Sequence, residues 1–339
     1  MNEHTNLLEI KDLTVHYVTV DGTVHAVENL NLTLPEGKTL GLVGETGAGK
    51  TTTVKAIMQI LPDPPAKILT GEVIFCGEDL LKKNKKSMRK IRGKQISMIF
   101  QDPMTSLNPV ITVGEQIMEV IRLHDKKISK KDAYTKACEM LELVGIKADR
   151  AGDYPHQFSG GMKQRVIIAM ALACNPRLLI ADEPTTALDV TIQAQVLELM
   201  RKLKAKYQTS MIMITHDLGI VAEICDYVAV MYAGEIVEYG NREQLFHRPS
   251  HPYTKGLLNS IANSNADHRE PLKPIPGTPP DLLKLGDQCP FASRCSEAME
   301  ICTKATPLVT EFGETHKCKC WLHCKERWQE VMKGEDAHE

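Results

Sequence analysis

Residues 44–51 read Gly-Glu-Thr-Gly-Ala-Gly-Lys-Thr, which fits the spacing G-x-x-x-x-G-K-[ST] of a phosphate-binding loop. Its three glycines can adopt backbone angles that a side chain would forbid, so successive backbone N–H groups can curl around a phosphate. The apolar run Thr39–Val43 predicts a buried strand before the loop, and apolar residues at helical spacing from Val54 to Leu61 predict a helix after it. The phosphate would therefore lie at a helix N-terminus. This context favours a nucleotide site over the alternative, a chance Gly-rich turn.

Hydrolysis of a bound nucleotide needs a metal ion and a carboxylate in addition to this loop. Lys50 would reach the outer phosphates, and the Thr51 hydroxyl would ligate Mg²⁺. The apolar run 178–181 predicts a buried strand that ends in Asp182 and Glu183, at the sheet edge where open α/β sheets bind ligands. We interpret Asp182 as the metal carboxylate and Glu183 as the general base. The alternative is a pair of acids that caps a helix.

Length and composition predict a soluble globular protein. A chain of 339 residues suggests about two domains, and 42% hydrophobic with 25% charged residues is ordinary for this class. The formal net charge of −2 gives no sign of nucleic-acid binding. No run approaches the length of a membrane span, and the N-terminus lacks the features of a signal peptide. We expect a cytosolic protein.

The order of patterns along the chain predicts an α/β fold with a C-terminal extension. Strand–helix alternation after residue 159 predicts a parallel sheet with flanking helices, and helically spaced apolar residues before it predict a helical subdomain at about 105–165. A polar, then Pro-rich stretch at 262–280 is typical of a linker. We therefore divide the chain into a nucleotide-binding domain, 1–262, and an extension, 263–339, with the linker and a group of cysteines.

Further motifs resemble those of the ABC-type ATPases. Residues 158–165, Phe-Ser-Gly-Gly-Met-Lys-Gln-Arg, are similar to the signature motif, although the first position is Phe instead of the common Leu and the fifth is Met instead of Gln. Gln101 resembles the Q-loop, residues 187–189 the D-loop and His216 the switch histidine. Tyr17 falls where an aromatic residue of the family stacks on adenine.

This resemblance implies a P-loop NTPase fold of the ABC ATPase type: a parallel-sheet core, an antiparallel β subdomain and a helical subdomain. It also implies that ATP is sandwiched between the phosphate loop of one subunit and the signature motif of its partner. The residues that carry over to nucleotide binding are Tyr17, Gly44, Glu45, Thr46, Gly47, Ala48, Gly49, Lys50, Thr51, Thr52, Gln101, Ser159, Gly160, Gly161 and Asp182. Glu183 and His216 carry over as catalytic residues, and Thr51 and Gln101 as Mg²⁺ ligands.

Four segments resemble the ATP-binding subunits of dipeptide/oligopeptide (peptide/nickel) permeases: residues 100–109, 251–258, 274–280 and 289–295. The resemblance implies ATP hydrolysis that powers import of di- or oligopeptides. Its implied partners are a second, different ATPase subunit, two membrane permease subunits and, indirectly, an extracellular peptide-binding protein, with no nucleic acid. The chain would lie peripherally at the cytoplasmic face of the membrane. A nickel importer ATPase and a soluble ABC ATPase that acts on nucleic acid or ribosomes are the alternatives, and a homodimer is the alternative assembly.

Six of the ten cysteines lie in the last fifty-one residues. In a reducing compartment such crowding favours a metal or cluster site over disulfides. Cys289, Cys295, Cys302 and Cys320 resemble the cysteine-rich tail of the peptide-permease ATPases, which implies a [4Fe–4S] cluster with these four ligands. The alternatives to a cluster are Zn²⁺ and unligated thiols. For the fourth ligand, the alternatives to Cys320 are Cys318 and Cys324.

Overall fold

A computed structural model describes residues 6–101, 103–186, 188–260 and 274–324. Ala187, the predicted boundary at 262/263 and the first part of the predicted linker lie outside these residues. The chain forms two compact units. The first unit comprises the described residues of 1–7, 34–39 and 79–215, and the second comprises those of 8–33, 40–78 and 216–339.

The strands of the described chain are β1 (Asn6–Thr19), β2 (Gly22–Pro35), β3 (Thr39–Val43), β4 (Ala66–Phe75), β5 (Glu78–Asp79), β6 (Ile96–Ile99), β7 (Leu178–Asp182), β8 (Ser210–Ile214), β9 (Tyr227–Tyr232), β10 (Glu235–Asn241), β11 (Val309–Phe312) and β12 (His316–Lys319). Its α-helices are α1 (Lys50–Ile57), α2 (Lys85–Ile91), α3 (Pro103–Ser106), α4 (Val113–His124), α5 (Lys130–Leu143), α6 (Gly160–Leu172), α7 (Val190–Tyr207), α8 (Leu218–Ile224), α9 (Arg242–His247) and α10 (Pro252–Asn259). Among the helices in these described ranges, none has both the length and the hydropathy of a membrane-spanning segment.

Parallel strands form the centre of the first unit. β7 lies between β6 and β8 and is parallel to both. Every residue of β7 and β8 is buried, as expected for parallel strands that helices cover. Asp182 pairs with Ile214, the last residue of β8, so both strands end at one edge of the sheet. The strand predicted at 178–181 thus delivers its two acids to the carboxyl edge.

Helices α4 and α5 pack against each other and against α6 in the same unit. The apolar repeat Val113, Ile117 and Ile121 is buried, which fixes the face that α4 turns inward. Thr112 and Ser129 cap the two helices, because each hydroxyl accepts a hydrogen bond from a backbone N–H three residues later. Both helices fall within the predicted helical subdomain, 105–165, whose bounds stay a prediction.

The second unit contains two groups of strands. One is a sheet in the order β2-β1-β4-β5, in which β1 and β4 are antiparallel. In the other group β3 is parallel to β9, β9 is antiparallel to β10, and β12 extends this sheet antiparallel to β10. Strands β11 and β12 come from the cysteine-rich extension. The described part of the extension therefore belongs to the same compact unit as the phosphate loop.

Candidate functional site

The predicted phosphate loop connects β3 to α1, and its glycines all have positive φ: 147° at Gly44, 84° at Gly47 and 100° at Gly49. A Cβ atom on Gly44 would lie 2.2 Å from the Met231 carbonyl oxygen, and one on Gly49 would lie 2.4 Å from the Ala26 carbonyl oxygen. Both contacts are with backbone, so neither can relax by a side-chain rotation. The fold therefore excludes side chains at two of the three glycines. Packing, as well as phosphate binding, explains why glycine occupies these positions.

Lys50 begins α1 and is buried. Its Nζ donates hydrogen bonds to the carbonyl oxygens of Gly44 and Glu45, both at 2.8 Å. The N-cap, Gly49, offers no side-chain cap, and the first turn of α1 contains no acidic residue. A helix N-terminus without a side-chain cap, with a cation beside it, favours an anion. The loop can therefore receive phosphate, with Thr51 and Thr52 next in the helix.

Two other predicted residues lie beside this loop in the second unit. The Tyr17 hydroxyl on β1 is 3.3 Å from Oγ1 of Thr52. His216 is exposed and lines a cavity together with Gly44 and Glu45. The structure thus brings Tyr17, His216 and the loop together, while adenine stacking by Tyr17 stays a prediction.

The predicted catalytic carboxylate lies in the first unit. Asp182 is buried at the end of β7, and Glu183 has a φ of 47°, a conformation that non-glycine residues seldom adopt. The Glu183 N–H donates to the Ile214 carbonyl oxygen at 2.9 Å. Its carboxylate accepts hydrogen bonds from Gln101 Nε2 at 3.0 Å and Thr186 Oγ1 at 3.1 Å. The predicted Q-loop glutamine and the predicted base are therefore in direct contact.

The predicted signature motif forms the start of α6. Ser159 is its N-cap and accepts a hydrogen bond from the Met162 N–H at 3.4 Å. Gly160 is exposed, and a Cβ atom on Gly161 would lie 2.5 Å from Ile192 Cγ2. The first turn of α6 contains no acidic residue. The motif therefore presents a helix N-terminus that suits a second anion.

The unusual first residue of the signature has a packing role. Phe158 is buried, and the Arg150 guanidinium carbon lies 4.3 Å above its ring centroid, within the range of a cation–π contact. In the D-loop resemblance, Ala187 is outside the described residues. Asp189 is the N-cap of α7 and accepts a hydrogen bond from the Ile192 N–H at 3.0 Å.

The structure brings the four predicted cluster cysteines together, as each of the six pairs among them is close enough to interact electrostatically. Burial, with the neighbouring thiols, raises the pKa of Cys289 to about 12 and that of Cys320 to about 11. The Met299 N–H donates a hydrogen bond to the sulfur of Cys302 at 3.5 Å.

The two competing cysteines also lie in the extension, and Cys324 packs, like Cys289, against the local core that contains Cys302. Cys318 is buried on β12, opposite Glu238 of β10, and its pKa is raised by burial and then by that carboxylate. The Cys324 sulfur lies 2.9 Å from the Thr310 hydroxyl. The assignment of Cys320 as the fourth ligand stays a prediction.

Sequence reasoning missed side chains from the extension and from α10 that contact the phosphate loop. The Tyr253 hydroxyl accepts a hydrogen bond from the Glu45 N–H at 2.9 Å, and the Arg294 guanidinium donates to the Glu45 carboxylate. Both residues lie in segments that carried the resemblance to peptide-permease subunits. These residues lie 208 and 249 positions from Glu45, and no short-range sequence pattern predicts a contact over such a separation. The motifs that contain them were the one available sign that they matter.

A histidine pair beside Tyr17 was also missed. His16 Nε2 and His25 Nδ1 lie 2.5 and 2.6 Å from the same oxygen of Glu28, and the two rings are 4.3 Å apart. One N–H from each imidazole satisfies both contacts. The cluster therefore ties β1 to β2 next to the tyrosine.

Comparison with known proteins gives two family matches. Residues 27–186 match the family described as ABC transporter, and residues 237–302 match the family described as oligopeptide/dipeptide transporter, C-terminal region. The chain is 54% identical over 320 residues to the oligopeptide transport ATP-binding protein OppD of Bacillus subtilis (strain 168), covering 94% of this chain and 89% of that protein. It is 50% identical over 331 residues to the dipeptide transport ATP-binding protein DppD of the same organism, covering 97% and 98%.

Among solved structures, the fold is similar to the ATP-binding cassette MJ0796 in a dimeric post-hydrolysis state bound to ADP and Pi. The TM-score is 0.62 at 27% identity, with 69% of this chain and 98% of that chain covered. The architecture is therefore that of a P-loop ABC ATPase cassette, with the extension beyond it.

His251 provides a pH test of how the loop is supported. It is the N-cap of α10, and its Nδ1 accepts the Tyr253 N–H at 3.0 Å. Burial, with His323 and Lys255 adding, lowers its pKa from 6.5 to about 3. The unfolded state therefore gains a proton first as the pH falls, and the folded state loses relative stability from about pH 6.5 downward.

We expect His251→Asn, which keeps a capping acceptor, to remove this dependence. Between about pH 6 and 4.5 the parent should lose up to about 1.4 kcal/mol per pH unit more than the variant, as measured by urea unfolding. His156→Asn, at an exposed histidine, should behave like the parent. Equal pH slopes for His251→Asn and the parent would contradict the buried, neutral assignment.

Proposed function

This chain belongs to the ABC transporter ATP-binding proteins, and within them to the oligopeptide and dipeptide transport branch; on that premise we propose that it hydrolyses ATP to power the import of di- or oligopeptides through a membrane permease. One observation carries the proposal: identity of about half extends over more than nine-tenths of the chain, through both the nucleotide-binding region and the C-terminal region. The contact of Gln101 with Glu183 supports the ATPase part.

In the proposed reaction, the loop binds the phosphates through its backbone N–H groups and Lys50. We assign Thr51, Gln101 and Asp182 as the residues that would hold Mg²⁺, since all three offer the oxygen donors that this ion prefers. When bound, Mg²⁺ would neutralise charge on the phosphate oxygens. Tyr17 would bind adenine.

Glu183 acts as general base toward the attacking water in this proposal. Gln101 and Thr186 donate hydrogen bonds to its carboxylate, and its backbone N–H is held by the end of β8. The two side-chain contacts orient the carboxylate through neutral donors, and the backbone bond fixes the residue that carries it. His216 would contact the terminal phosphate, in keeping with its cavity beside the loop.

The signature motif would serve the partner's nucleotide. Ser159, Gly160 and Gly161 offer a hydroxyl and N–H groups at a helix start, and two phosphate-binding surfaces in one chain fit an assembly in which each ATP contacts two subunits. We propose a second, different ATPase subunit as partner, two membrane permease subunits, and indirectly an extracellular peptide-binding protein. The chain would lie on the cytoplasmic face of the membrane.

Glu183→Gln tests the assignment of the base. The substitution keeps the shape and removes the proton acceptor, so we expect ATP hydrolysis to fall by about 10²- to 10⁴-fold while ATP binding persists and closed dimers with the partner subunit accumulate. Glu198→Gln, at an exposed glutamate on α7, is the matched control and should hydrolyse ATP like the parent. Parental hydrolysis by Glu183→Gln would show that another group is the base.

We also propose that the cysteine quartet holds a [4Fe–4S] cluster. Four neighbouring thiols, one of which accepts a backbone N–H, suit such a cluster. Among the described residues, no three of these sulfurs lie within 4.8 Å of one another; a single Zn²⁺ needs its sulfurs closer than that, because each lies about 2.3 Å from the ion. When bound, the cluster would cross-link the extension, whose small local core is Ile301, Cys302 and Trp321.

Metal analysis of anaerobically purified protein tests the cluster. We expect brown protein with about four iron atoms per chain. Cys320→Ser should lose most of the iron, because it removes one ligand, whereas Cys324→Ser should retain it. Colourless parent protein without iron would overturn the cluster. Equal iron loss in both variants would overturn Cys320 as its fourth ligand.

A further inference from the structure

The second residue of the phosphate loop, Glu45, is an acid in a loop that binds anions. A carboxylate at this place repels phosphate unless its charge is compensated. All its polar groups have partners: the N–H donates to the Tyr253 hydroxyl at 2.9 Å, and the carbonyl oxygen accepts from Lys50 Nζ at 2.8 Å. The carboxylate accepts from Arg294, Oε2 from Nη1 at 2.6 Å and Oε1 from Nη2 at 2.9 Å.

Arg294 is itself held rigidly. Its side chain is only 4% exposed, against 28% for Glu45. Nε donates to the Pro276 carbonyl oxygen at 2.9 Å, and Nη1 also reaches the Tyr232 hydroxyl at 3.3 Å. The two-bond geometry toward a carboxylate is specific to arginine. A fixed, buried cation therefore pairs with the loop carboxylate, although the two residues are 249 positions apart in the sequence.

Other residues of the extension also lie against the phosphate loop and its neighbours. Pro279, Pro280 and Leu282 line a small cavity with Thr46 and Gly47, and the Leu282 carbonyl oxygen accepts a hydrogen bond from the His25 N–H at 3.1 Å. The Phe291 ring meets the Tyr232 ring edge-on, with centroids 5.2 Å apart. Arg294 is thus part of a packed surface against the loop and not an isolated contact.

We propose that Arg294 is a positioning residue for ATP binding: it neutralises Glu45 and fixes the backbone whose carbonyl oxygen holds Lys50. It acts through Glu45 and not by touching the phosphates. The inference rests on the proposed ATP binding, and it does not depend on whether the neighbouring cysteine quartet holds a cluster. The extension is then a functional part of this chain's own nucleotide half-site.

A double-mutant cycle tests this role by measuring ATP dissociation constants at equilibrium. Arg294→Ala leaves an unpaired carboxylate in the loop, so we expect ATP to bind about tenfold more weakly, or about 1.4 kcal/mol. Adding Glu45→Gln removes that charge and should restore most of the affinity, a rescue that general damage to the fold would not give. Arg294→Lys, which keeps the charge without the two-bond geometry, should lie between the parent and Arg294→Ala.

The matched control is Lys255→Ala. Lys255 forms an exposed ion pair with Glu297 of the extension at 3.8 Å, so its loss should leave ATP affinity at the parental value. Parental affinity in Arg294→Ala, or no recovery in the double variant, would overturn the proposal. Should Arg294→Ala fail to fold, parental affinity in a folded Arg294→Lys would overturn it equally. A parent chain that does not bind ATP would instead refute the proposed function itself.

Discussion

The nucleotide site depends on a backbone that tolerates no side chain at two positions. Gly44 and Gly49 have positive φ and approach carbonyl oxygens so closely that a Cβ atom would overlap them. That packing directs the loop from β3 into α1, whose N-terminus has no side-chain cap and therefore suits an anion. Lys50 then closes the loop through the carbonyl oxygens of Gly44 and Glu45. Phosphate binding thus follows from how the backbone packs.

The same loop depends on the C-terminal part of the second unit. Glu238 is fully buried and accepts hydrogen bonds from the backbone N–H groups of Ser250 and His251, and it contacts His316 of β12. These bonds set the start of α10, from which Tyr253 reaches the Glu45 N–H. A chain of contacts therefore supports the loop: β12 contacts the buried Glu238, Glu238 holds the start of α10, and α10 holds the loop. The extension is a structural partner of the ATP site more than an appended domain.

Sequence identified the parts of the site that local chemistry dictates. The glycine spacing, the acids after a buried strand and the Ser-Gly-Gly helix start are short patterns with a physical reason, and the structure has each at the element expected. Contacts between distant residues were not accessible, since a pair such as Glu45 and Arg294 depends on tertiary packing. The positive φ of Glu183 and the packing of Phe158 under Arg150 likewise come from neighbours that no local pattern specifies.

Reconstitution tests most directly whether this chain couples ATP hydrolysis to peptide import. The chain would be placed in proteoliposomes with its permease subunits and partner ATPase, and ATP hydrolysis measured with and without the peptide-loaded binding protein, alongside uptake of labelled peptide. We expect hydrolysis to rise when loaded binding protein is added and uptake to follow ATP consumption. A rate of ATP hydrolysis that does not change with peptide or permease, together with no peptide uptake, would contradict this coupling.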